Sequence, residues 1–198
     1  MTLATESAIM PMFETAEPHS GAECRAAMQQ LVARGSEFLV TQPADVFHAP
    51  QGDHWSPAEH VRHLRKSTAP VARALGMPRL VLRWKFGKAK SASRSFVELQ
   101  RVYNAALAAG GKAGRFTPSP EAAPADPARR RTEILDAWRG SVEDLDRSAG
   151  RWPEAALDRL VLPHPLLGNL TIREMLMFTV FHTAHHLTSI TNRLERVS

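Results

Sequence analysis

"TIREMLMFTVFHTAHHLTSITNRL", residues 171–194, decides how the chain folds. Ile172, Met175, Thr179, Thr183, His186, Leu187, Ile190 and Leu194 recur at three- and four-residue intervals, which predicts a helix over about 172–196 with one buried stripe. Thr171 and Glu174 open it with a capping box: the hydroxyl accepts from an early helical amide, and the carboxylate reaches back to the cap's own N–H. Within this helix, three histidines, His182, His185 and His186, occupy five consecutive positions.

The same start signal occurs twice more, at Ser20–Glu23 and at Ser56–Glu59, the latter with Pro57 at the first helical position. A fourth start pairs Asp126 with Pro127. Periodic apolar residues follow each start, predicting helices over about 21–41, 57–76 and 127–149. Pro70 inside the second predicts a kink. "SFVELQRVYNAALAAG", 95–110, reads as a further helix, and 111–126, rich in Gly, Pro and Ala, as a flexible loop. "LVLPHPLLGNL", 160–170, reads as an ordered lead-in loop, and no strand alternation is evident. The expected architecture is all-α: one domain over 1–198, with an N-terminal extension (1–19) and a bundle of four main helices. An extra helix and loop are inserted between the second and third main helices.

Composition sets the function classes. At 198 residues and 43% apolar, the chain suits one globular domain. No apolar run reaches the ~18–20 residues of a membrane span, and the N-terminus lacks a secretory pattern. A lone cysteine, Cys24, fits a reducing compartment, so the expected location is cytoplasmic. The net charge of +5 is concentrated in 79–90 and 129–131. It is modest, and no nucleic-acid module accompanies it, so a solvated face outweighs a nucleic-acid interface.

His182 and His186 are one helical turn apart, the spacing that offers two nitrogens to one metal. A stable site with an open position needs a third ligand, and His60 and His63 on the second helix are candidates. Glu59 is explained by its cap, and His185 leaves the helix at another angle, toward the surroundings of the pair or an interface. His54 and His164, like His60, read as packing or solvent-facing residues, and Trp55 and Trp138 as core anchors.

Trp55, Ser56, Glu59, His63 and Leu64 match a "W-S-x-x-E-x-x-x-H-L" opening, and His164 through Glu174 match "H-P-L-L-G-x-L-T-x-x-E" ahead of Phe181, His182, His185 and His186. In this order and spacing the chain resembles the DinB-like (YfiT-like) superfamily of four-helix-bundle metalloproteins. The resemblance implies a divalent transition metal, zinc or nickel, held by His63, His182 and His186 with an open water or substrate position. It further implies a small-molecule substrate and a metal-dependent hydrolase or a transferase using a low-molecular-weight thiol. It points to no general base. A non-catalytic metal- or ligand-binding module is the alternative, and a nucleic-acid binder a more remote one. Relatives that pair through helix faces imply a homodimer, which the apolar positions of 79–86 would cover.

Overall fold

The computed structural model describes residues 13–50 and 52–197. In chain order the helices are α1 (Gly21–Thr41), α2 (Ala44–His48), α3 (Pro57–Leu75), α4 (Arg79–Phe86), α5 (Phe96–Ala108), α6 (Pro127–Ala149) and α7 (Ile172–Val197). A hairpin of β1 (Val161–His164) and β2 (Gly168–Thr171) precedes α7. The four long helices, α1, α3, α6 and α7, form the bundle: α3 packs on α6 and α7, and α1 on the same two. Each lies within two residues of its expected span, because caps and apolar stripes mark the same boundaries.

The caps form as the sequence requires. Ser20 Oγ accepts from the Glu23 amide at 3.1 Å, and Ser56 Oγ from the Glu59 amide at 3.2 Å. Ser95 and Glu98 build another box at the start of α5. α3 continues as helix through Pro70 to Leu75. The core is filled by Trp138, Leu31, Leu39, Leu64, Leu135 and Leu187, all essentially without solvent contact. Gly35 lets α1 approach α7 closely: a Cβ there would lie 2.9 Å from both terminal methyls of Leu187 and 3.2 Å from Trp138.

Residues 161–171 depart from the expected loop by pairing as an antiparallel ribbon, with Val161 opposite Thr171 and His164 opposite Gly168. Pro163 is tolerated because a two-stranded ribbon has only edges. Gly168, at φ 71°, supplies the left-handed residue after the Pro165–Leu167 turn. The hairpin and α5 close one flank of α7, and that flank carries the histidines.

The 111–126 stretch runs back along α3. Lys66 Nζ donates to the Thr117 carbonyl at 2.9 Å, and Arg62 Nη2 to the Ser119 carbonyl at 2.8 Å. The first residues of the N-terminal extension lie outside the described residues; Phe13 is buried, edge-on to Phe38. No helix among the described residues is long and apolar enough to cross a membrane.

Candidate metal centre

The start of α3 is fixed before any histidine is considered. Glu59 Oε2 accepts from the Ser56 amide at 2.8 Å, so the carboxylate is committed to the cap. One turn on, His63 projects toward α7 and meets His182 and His186, which share a face because they are four residues apart. His182 Nε2 lies 3.0 Å from His63 Nε2 and 3.0 Å from His186 Nε2. Among the described residues these three form a group whose ligand atoms all lie within 4.8 Å of one another, and all three are buried.

Outer contacts orient the rings. His63 Nδ1 lies 2.9 Å from the Phe116 carbonyl, which can only accept. In the neutral ring the proton therefore sits on Nδ1 and the Nε2 lone pair faces the cluster. His186 Nδ1 lies 2.8 Å from His60 Nδ1, and donation from His186 leaves its Nε2 bare in the same way. Phe178 stacks on His182, at 5.0 Å and 21°. Trp55 stacks on His186, at 6.2 Å and 14°.

Burial keeps these imidazoles neutral. It drives His182 and His186 well below the ordinary histidine value, and the crowding of other histidines acts in the same direction, because a proton on one disfavours a proton on the next. Burial also lowers His63, against the Phe116 carbonyl, which favours the proton. His60 is lowered to about 3, first by burial and then by Arg193 and the other histidines.

The cluster forms part of the wall of a cavity of about 580 Å³ between α3, α5, α7, the hairpin and the 112–117 loop. Most of that wall is apolar, with Val71, Leu107, Phe116, Leu162, Met175 and Phe178 prominent. His164 adds one polar ring. Its Nδ1 accepts from the Leu166 and Leu167 amides at 3.2 and 3.1 Å, which leaves the proton on Nε2.

Residues 22–190 match the family model of the DinB superfamily. The chain belongs to the DinB superfamily. Among solved structures it is similar to TT2238, a four-helix bundle protein, at 16% identity and a TM-score of 0.46, over 87% of this chain and 96% of that one. No curated protein matches.

The residues of this DinB-superfamily site fit a metal ion. Two nitrogens bound to one tetrahedral ion at ~2.0–2.1 Å lie about 3.3 Å apart, close to the spacing of the bare rings. The bare Nε2 atoms of His63 and His186 both face His182 Nε2 at 3.0 Å, so three neutral, buried imidazoles offer nitrogens that one cation can bridge in place of a proton. Three neutral imidazoles suit zinc, nickel and other borderline transition ions.

The structure brings His63, His182 and His186 together and leaves His185 exposed beside them, with its ring 5.4 Å from that of His186. Three sequence readings need correction. His60 is no mere packing residue, because it holds the outer nitrogen of His186. Trp55 is half-buried and walls the site instead of anchoring the core. His164 is a cavity residue with a fixed tautomer. The i, i+3 spacing of His60 and His63 was the available signal for the first. The other two stand in the motifs quoted above, but which way each ring faces depends on how the hairpin and the α3 entry pack.

Proposed function

We propose that this chain is a metal-dependent enzyme acting on small molecules, with His63, His182 and His186 as ligands of one divalent ion, zinc or nickel. The observation that carries the reading is the convergence of three neutral, buried Nε2 atoms at the wall of a 580 Å³ cavity. A divalent ion held there would acidify a coordinated water or thiol, the property required by hydrolysis and by transfer of a low-molecular-weight thiol alike.

The chain's own residues favour thiol transfer. No Asp or Glu lines the cavity, so no carboxylate there takes a proton from water. A thiol, with an ordinary pKa near ~8.5, needs far less assistance than water to become a nucleophile. Cys24 does not supply that thiol, because burial pushes it up to about 12 and it lies away from the cavity. His164, lowered to about 4 by burial, is a neutral donor at neutral pH whose Nε2 proton can bond a polar atom of the electrophile. The apolar walls hold the remainder of the electrophile and keep water away. A cytoplasmic setting, where small thiols stay reduced, belongs to the same proposal. So does a homodimer formed through α4, whose Leu80 and Trp84 are 77% and 88% exposed.

The test is a thermal-shift titration with zinc and nickel, followed by an assay of zinc-dependent thiol consumption with alkylating and unsaturated electrophiles. The melting temperature of the wild type should rise with metal. That rise should be lost in His63→Ala, His182→Ala and His186→Ala and kept in His185→Ala. An equal rise in all the proteins would remove the metal reading. Ester cleavage without thiol consumption would move the assignment to a hydrolase.

A further inference from the structure

The cavity has a charge pattern that the metal reading does not use. Its wall contains no acidic residue, but it includes two cations, Lys112 and Arg115, both on the loop between α5 and α6. Both are exposed. Neither forms an ion pair among the described residues; Arg115 lies 5.1 Å over the Phe116 ring. Of the chain's concentrated cations, none of those at 79–90 lines this cavity, and those at 129–131 are committed elsewhere. Arg129 pairs with Glu133 at 3.1 Å, Arg130 with Glu121 at 2.6 Å, and Arg131 donates to the Gln42 carbonyl. Lys66, beside the same loop, is occupied by the Thr117 carbonyl.

The loop is also held in place. His63 Nδ1, Lys66 Nζ and Arg62 Nη2 each bond one of its carbonyls, those of Phe116, Thr117 and Ser119. Gly110 and Gly114, at φ 90° and 54°, supply the two left-handed turns that carry Lys112 over the cavity. Two uncommitted cations on an anchored loop, above an apolar chamber, select for a ligand with the complementary pattern.

We propose that the cavity binds small amphipathic anions: molecules with an apolar body that fills the chamber and one carboxylate-like group held by Lys112 and Arg115. This deepens the enzyme reading by naming the class of its substrate, and rests on that reading only for the chemistry that follows binding. A neutral ligand of the same shape forfeits a charge-assisted contact, and a cationic one meets repulsion. Association with the anion weakens as salt rises, because the loop cations are open to solvent.

The experiment uses three probes with one apolar body and different ends: octanoate, octanol and octylammonium. Binding to the full chain is measured by titration calorimetry, with and without zinc. Octanoate should bind about tenfold more tightly than octanol, the difference expected of one charge-assisted contact, and octylammonium more weakly than either. In a Lys112→Gln, Arg115→Gln double variant, octanoate should fall to the affinity of octanol. Ala74→Phe, which fills the chamber from α3, should abolish binding of all three while the two-cation loop stays intact.

Four results would overturn the proposal: no octanoate binding, equal affinity for octanoate and octanol, a preference that survives the double variant, or binding that survives Ala74→Phe. A preference that survives only with zinc counts among these, because the carboxylate would then sit on the ion. Failure of the metal reading shows separately, as a missing zinc shift, and leaves the zinc-free arm of this experiment unchanged.

Discussion

His60 shows how a single side chain conditions its neighbour. Its Nδ1 faces His186 Nδ1 at 2.8 Å, and its Nε2 is buried with no partner among the described residues. When His186 donates, His60 must carry its own proton on that orphaned Nε2, an arrangement that costs free energy and persists because it holds the His186 ring. Replacing His60 by Phe keeps the bulk but removes the acceptor. The expected outcome is a loss of zinc affinity of about 10–100-fold, read by competition with a coloured chelator. His182→Ala should lose far more, since it removes a ligand; unchanged affinity in His60→Phe would reduce His60 to packing. The i, i+4 pair in α7 was legible because a helix places such residues on one face whatever surrounds it. His60 was not, because helical phase alone does not tell which of His60 and His63 faces α7, and both do.

At the scale of elements, capping chemistry made the helix starts legible, and the entry to α7 shows how much depends on it. Thr171 Oγ1 accepts from the Glu174 amide at 3.1 Å, and Glu174 Oε2 from the Thr171 amide at 2.8 Å. The structure adds what no local pattern carries: Glu174 Oε1 accepts from Arg94 Nε at 2.6 Å and from the Arg94 amide at 3.0 Å. One buried carboxylate thus joins the hairpin, α7 and the segment leading into α5. Glu174→Ala should lower stability by ~2–4 kcal/mol, because Arg94 and two amides lose their acceptor. Glu174→Gln should lose less, since it keeps one carbonyl for the cap. Urea denaturation measures both, and a loss under ~1 kcal/mol in the alanine variant would show the junction to be unimportant. The hairpin itself was hidden by Pro163 and Pro165, which read as loop punctuation although an all-edge ribbon accepts them. Segment 79–90 drew attention for its charge and its first eight residues for their apolar positions; those eight form the short helix α4, which leaves Leu80 and Trp84 to solvent.

For the molecule as a whole, the buried histidines set the response to acid. Burial lowers His60 to about 3 and His164 to about 4, against an ordinary 6.5, and lowers His63, His182 and His186 as well. Between the folded and unfolded values the unfolded chain binds protons that the folded chain excludes, so stability rises with pH in that window and falls as pH drops below about 6.5. At pH 5.5 each group of this kind costs about 1.4 kcal/mol, so His60 and His164 alone remove ~3 kcal/mol of a stability expected near ~5–15 kcal/mol. The ion-paired carboxylates act lower on the scale. Arg173 holds Asp158 below the usual carboxylate range, and that contribution is lost only as pH falls below about 4. The metal-free protein should therefore lose stability in two stages, the first beginning near pH 6.5 and carried by histidines. Urea midpoints measured from pH 7.5 to 4.5 should fall throughout, and His164→Phe should flatten the upper stage by the share of one proton. Added zinc should steepen that stage, because protons and metal compete for the same nitrogens. Flat stability down to pH 5 would mean that these rings take up protons without unfolding, and the neutral, buried donor set inferred for the site would have to be abandoned.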